Sequence, residues 1–87
     1  MELIELRGDI DKIDNELIRL FCARMEIAAQ IAEYKKANDL PVFVPEREAE
    51  KLTQVVEIAG PEMAEYTREL FAALFQLSRD YQFKQIR

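Results

Sequence analysis

With 87 residues the chain is one domain at most, and a chain this short buries only a thin core unless a disulfide, a metal or a partner supports it. Cys22 is the only cysteine and there is no histidine, which excludes an internal disulfide and argues against a zinc site of the usual kind; a partner is the remaining device. A formal net charge of −5, with charges recurring every few residues, argues against nucleic acid, an anionic membrane surface, a signal peptide and a membrane span, and points to the cytoplasm.

Glycine and proline punctuate the chain in two places, from Asn38 to Pro45 and at Gly60-Pro61. The pattern predicts an all-α chain of three helices, at about 2–37, 45–59 and 62–85, a single domain over 1–87 without repeat or linker. In the first, Leu3, Leu6, Ile10, Ile13, Leu17, Leu20, Arg24, Ile27, Ile31 and Tyr34 alternate steps of three and four. That is a heptad seam, the pattern of long helix–helix packing. Acidic residues favour its start, Lys35 and Lys36 its end, and Asn38 is a natural stop.

A helix of that length measures about 54 Å. A compact domain of this size has a radius of gyration of roughly 12 Å. The first helix must therefore overhang its own domain. Its seam is apolar throughout, so the overhang needs cover from a second chain, and a two-fold dimer with paired long helices is the simplest closure.

The second helix opens on Pro45 with Glu46 and Glu48 at the positive end of its dipole, and Leu52, Val55, Val56 and Ala59 form its apolar face. The third carries Met63, Leu70, Leu74, Leu77 and Tyr81 on one stripe, and Phe71, Leu74, Ser78 and Gln82 on a neighbouring one.

Positions that break such a pattern are functional candidates. Arg24 sits in the seam between Leu20 and Ile27. It is either a snorkelling, ion-paired or register-setting arginine, or a cation facing an internal cavity that needs an anionic partner. Lys35, eleven residues on, falls on nearly the same face about 16 Å along the axis, close enough for both side chains to lean toward one ligand. Its plainer reading is a helix-end dipole partner. Arg7 lies about 25 Å from Arg24, so a small ligand reaches both only if Arg7 belongs to the other chain of an antiparallel dimer. Ser78 and Gln82 either continue an inward stripe or mark where it ends in water. Arg47 and Glu48 open the second helix, where a solvated first turn is the ordinary expectation. Cys22 lies amid Leu20, Phe21 and Ala23 and is expected in or near the core rather than as a nucleophile. A histidine-dependent triad, a glycine-rich phosphate loop and a CxxC pair are all missing.

Leu6, Arg7, Ile10, Asp11, Ile13, Asp14, Leu17, Ile18, Leu20 and Arg24, followed by Lys35 and then by Arg47-Glu48, resemble the all-helical chorismate mutase family in order and spacing over nearly the whole chain. The resemblance implies an intertwined helical homodimer with two identical sites, and a Claisen rearrangement of chorismate to prephenate on the branch toward phenylalanine and tyrosine. It implies no metal, cofactor or covalent intermediate. Arg24, Lys35 and Arg47 of one subunit, with Arg7 of the other, would surround the two substrate carboxylates. Ser78 would add a hydrogen bond to a carboxylate, Glu48 would accept from the ring hydroxyl, and Lys35 and Gln82 would donate to the breaking ether oxygen. Val44 departs from the pattern, since many members carry an acidic residue there that would also cap the second helix. Isochorismate pyruvate lyase, of the same fold, partly matches at Val44-Pro45-Glu46-Arg47. A non-catalytic helical dimer that docks to or regulates another enzyme is the reading from a different class; it would not require the polar set.

Overall fold

The computed structural model describes residues 2–87, and these fold as three α-helices: α1 (Leu3–Ala37), α2 (Pro45–Ala59) and α3 (Ala64–Gln85). α1 ends where Asn38 donates from its side-chain amide to the Tyr34 carbonyl at 2.8 Å. Asp39 then turns the chain with φ 54°, a left-handed conformation that aspartate tolerates better than most residues. α2 begins at Pro45, whose fixed φ and missing N–H suit a first helical position. Val44 precedes it and offers no side-chain acceptor to the free amides of that turn. The third helix starts two residues later than its expected boundary. Gly60 takes φ 86° and Pro61–Met63 form a turn, closed by the Met63 N–H donating to the Gly60 carbonyl at 3.2 Å.

α3 is the central element, packing against both α1 and α2, which do not pack against each other. Arg24, Ala28 and Lys36 of the long helix meet Ser78, Gln82 and Ile86 in the same order, so α1 and the end of α3 run parallel. The core is small: Ala28, Ala32, Val55 and Phe75, with Phe71 edge-on to Phe75 at 6.1 Å between ring centroids. Small alanines on α1 let α3 approach closely.

The overhang is pronounced. The molecule measures 54 × 26 × 15 Å with a radius of gyration of 16.0 Å, against roughly 12 Å for a compact chain of this length. From Glu2 to Leu20 every residue except Gly8 is exposed. The apolar seam residues from Leu3 to Tyr34 stay 40–64% exposed, and no other element of the chain covers those from Leu3 to Leu20. Cys22 shares that environment. It is exposed, not in the core as its apolar neighbours suggested.

Candidate functional site

The three helices and the α1–α2 loop enclose a cleft of about 430 Å³. Arg24 and Lys35 enter it from α1, Arg47 and Glu48 from the first turn of α2, and Ser78 and Gln82 from α3. Six of the seven residues selected from the sequence therefore line one cavity. Arg7 does not; it is exposed on the overhanging half of α1. Ile27, Ala28, Ile31, Val42, Val44 and Phe75 supply an apolar wall.

Arg24, Lys35, Glu48, Ser78 and Gln82 are each held by a specific contact. Arg24 Nη1 donates to Ser78 Oγ at 2.8 Å, joining α1 to α3 across 54 positions of sequence. Gln82 is 8% exposed, and its Nε2 donates to the Ala28 carbonyl at 3.1 Å. A primary amide has two N–H groups, so one remains for a ligand. Lys35 Nζ donates to the Val42 carbonyl at 3.0 Å, which leaves two of its three protons. Ser78 and Gln82 thus face inward, and Lys35 reaches from the end of its helix to the α1–α2 loop.

Glu48 is gripped from outside the cleft. Arg79 Nη1 donates to both of its carboxylate oxygens, and the Arg79 guanidinium lies over the Phe43 ring, 4.8 Å from its centroid. Arg79 Nη2 also donates to Gln76 Oε1 at 2.9 Å. Sequence reading missed Arg79, and missed Lys51, which lines the cleft beside Arg47. The available signals were helical spacing alone. Lys51 is one turn after Arg47, and Arg79 directly follows Ser78; neither position breaks an apolar pattern.

The lining thus holds four cations, Arg24, Lys35, Arg47 and Lys51, against the single carboxylate of Glu48. In a chain of net charge −5 this is a local inversion of sign. Low-dielectric walls strengthen such a field, so the cavity suits a small dianion of matching size. Among the described residues no group of three or more His, Cys, Asp or Glu is placed to hold a metal, and no helix is long and apolar enough to cross a membrane.

Fold and cleft together define an all-helical protein with a cationic cleft between its helices. Comparison with known proteins narrows that class. The chorismate mutase type II family matches residues 6–83, and the chain belongs to it. It is 44% identical over 57 residues to the bifunctional chorismate mutase/prephenate dehydratase of Aquifex aeolicus, a match covering 66% of this chain and 16% of that protein. It is 46% identical over 46 residues to the T-protein of Haemophilus influenzae, covering 53% of the chain and 12% of that protein. The chorismate mutase of Methanocaldococcus jannaschii is 40% identical over 47 residues, covering 54% of the chain and 48% of that protein. The chain thus spans less than half the length of these relatives. No solved structure gives a significant match.

Proposed function

We propose that the chain is a chorismate mutase, converting chorismate to prephenate by a Claisen rearrangement in the cytoplasm. The observation that carries this reading is the convergence of Arg24, Lys35, Arg47, Glu48, Ser78 and Gln82 on one cavity in a chain of the chorismate mutase type II family.

The reaction is unimolecular. An ether C–O bond breaks, a C–C bond forms, and no atom enters or leaves. An enzyme can therefore act by holding the folded, reactive conformer and by stabilising the charge that develops. In this reading Arg24 and Arg47 hold the substrate carboxylates, with Ser78 assisting from its bond to Arg24. Glu48 accepts from the ring hydroxyl. Because C–O cleavage runs ahead of C–C formation, negative charge grows on the ether oxygen, and Lys35 and Gln82 donate to it with the protons that Val42 and Ala28 leave free. Such donors favour the transition state over the ground state because the charge they meet is largest there. The apolar wall keeps water from competing.

The working unit in this proposal is a homodimer. Its partner covers the exposed seam of α1 and brings Arg7 across the interface to complete the set of cations. The length of α1, the exposure of the seam and the 25 Å or so between Arg7 and Arg24 along the helix support it.

The test is loss of chorismate absorbance on adding purified protein without metal or cofactor, with prephenate identified as product and Lys35→Ala run in parallel. Turnover by the wild type and a fall of at least ~10²-fold in the variant are expected. No turnover by a folded protein overturns the proposal. Release of pyruvate from isochorismate would instead assign the lyase reaction.

A further inference from the structure

Glu48 presents a difficulty for any dianionic ligand. It is the one carboxylate in the lining of a cleft otherwise built from cations. Unpaired, it would repel a substrate carboxylate nearby, and its two oxygens would be free to rotate away from a hydroxyl donor. Arg79 meets both problems without itself lining the cleft.

We infer that Arg79 is a positioning residue of the proposed mutase site: it neutralises and orients Glu48, and through Phe43 it ties that carboxylate to the α1–α2 loop. The inference rests on the mutase reading and extends it to a side chain outside the cleft. Three contacts carry it. The Arg79–Glu48 pair joins α3 to α2 and leaves the two side chains only 21% and 26% exposed, whereas the other ion pairs among the described residues span one turn of a single helix. Arg19–Glu16, for comparison, has side chains 64% and 62% exposed. Reduced solvation makes the cross-helix pair a stronger electrostatic contact than an exposed one. The face of the guanidinium lies on Phe43, so the loop that supplies Val42 and Val44 to the cleft is held by the same group. The remaining direction is fixed by Gln76, whose own amide donates to Asp80 Oδ1 at 2.9 Å. A carboxylate has about four lone-pair positions, so Glu48 bound by Arg79 can still accept a hydrogen bond from a hydroxyl.

A positioning role through Glu48 makes the effect of Arg79 depend on the charge of Glu48. Arg79→Met is expected to lower kcat/KM about tenfold or more when Glu48 is present. In a Glu48→Gln background, which is already slower, the same change is expected to cost less than about twofold, because a neutral amide neither repels the dianion nor needs a counter-ion. Arg79→Lys keeps the charge but cannot also stack on Phe43 and bond Gln76 as a planar fork does, and is expected to recover only part of the loss. It also serves as the second probe should the methionine variant fail to fold. Equal losses in the two backgrounds, or no loss in either, would overturn the inference and leave Arg79 a structural ion pair. Wild-type turnover in the same assay judges the reaction itself. Equilibrium binding of prephenate, also a dianion, across the same four proteins judges Arg79 even if turnover is absent.

Discussion

Arg24 and Ser78 meet at 2.8 Å although 54 positions separate them, and their contact joins the long helix to the last one in the lining of the cationic cleft. The hydroxyl fixes the direction of a half-buried guanidinium that would otherwise sample several rotamers. Ser78→Ala should therefore reduce kcat/KM by roughly tenfold or more, the scale of a hydrogen bond to a charged group, with most of the change in KM. Steady-state kinetics on chorismate checks this; an unchanged KM would remove Ser78 from the substrate-binding set.

Gln82 offers a test of sign in pH. Gln82→Glu places a carboxyl in a buried position opposite the Ala28 carbonyl. Burial raises the pKa of such a group and the neighbouring carbonyl raises it further. Only the protonated acid can donate to the ether oxygen. The variant should be most active at low pH and lose activity as pH rises through that raised pKa, whereas the amide of the wild type should show no such loss. A pH–rate profile with the same shape for both proteins would exclude Gln82 as the donor.

The uncovered seam predicts both assembly and shared sites. Sedimentation equilibrium should show a dimer. Replacing Leu17 by Asp, in the middle of the exposed stripe, should dissociate or unfold it and abolish activity with it. Mixing inactive Arg7→Ala and inactive Lys35→Ala subunits should restore up to one intact site per heterodimer. No recovery after demonstrated subunit exchange would argue against Arg7 acting across the interface.

Val44 leaves α2 without a side-chain cap. Val44→Asp supplies an acceptor for the first-turn amides and a negative charge at the positive end of the helix. It should stabilise the fold by about 1 kcal/mol, raising Tm by several degrees in a thermal melt. A lower Tm would mean that the apolar contact of Val44 with the cleft outweighs the cap.

Lys51 adds a fourth cation one turn beyond Arg47 and makes no hydrogen bond or ion pair within the described residues. Lys51→Met keeps much of its apolar stem and removes the charge. It should raise KM several-fold and weaken the salt dependence of kcat/KM, since it contributes to the field that draws in a dianion. Identical salt profiles would make it a solvated surface lysine.

The elements were legible because their punctuation is local. Pro45 and Gly60 set two boundaries directly, and the seam of α1 marked its length. The start of α3 was misplaced because Gly60-Pro61 spends three residues on a turn before the helix begins, and Glu62 and Met63 are equally at home in either. Arg24 was legible as an interruption of an apolar stripe. Arg79 and Lys51 were not, since a charged residue on a helix that already carries charges interrupts nothing. Their significance comes from Glu48, Phe43 and Arg47, which approach from other turns and other helices. Cys22 was misread for a related reason: its neighbours are apolar toward a surface that this chain alone does not cover.

α1 carries the exposed seam along its length and Arg24 and Lys35 in its C-terminal half, on a continuous helix of 35 residues. On the proposed dimer this rod acts as a gauge. Sliding the seam by one heptad keeps the apolar faces matched but shifts the partner's arginine by about 10 Å, more than a side chain can make up. A mis-set pair would be folded, helical and dimeric, yet inert, so turnover reports the alignment of two rods to within one helical repeat, where circular dichroism and sedimentation would not.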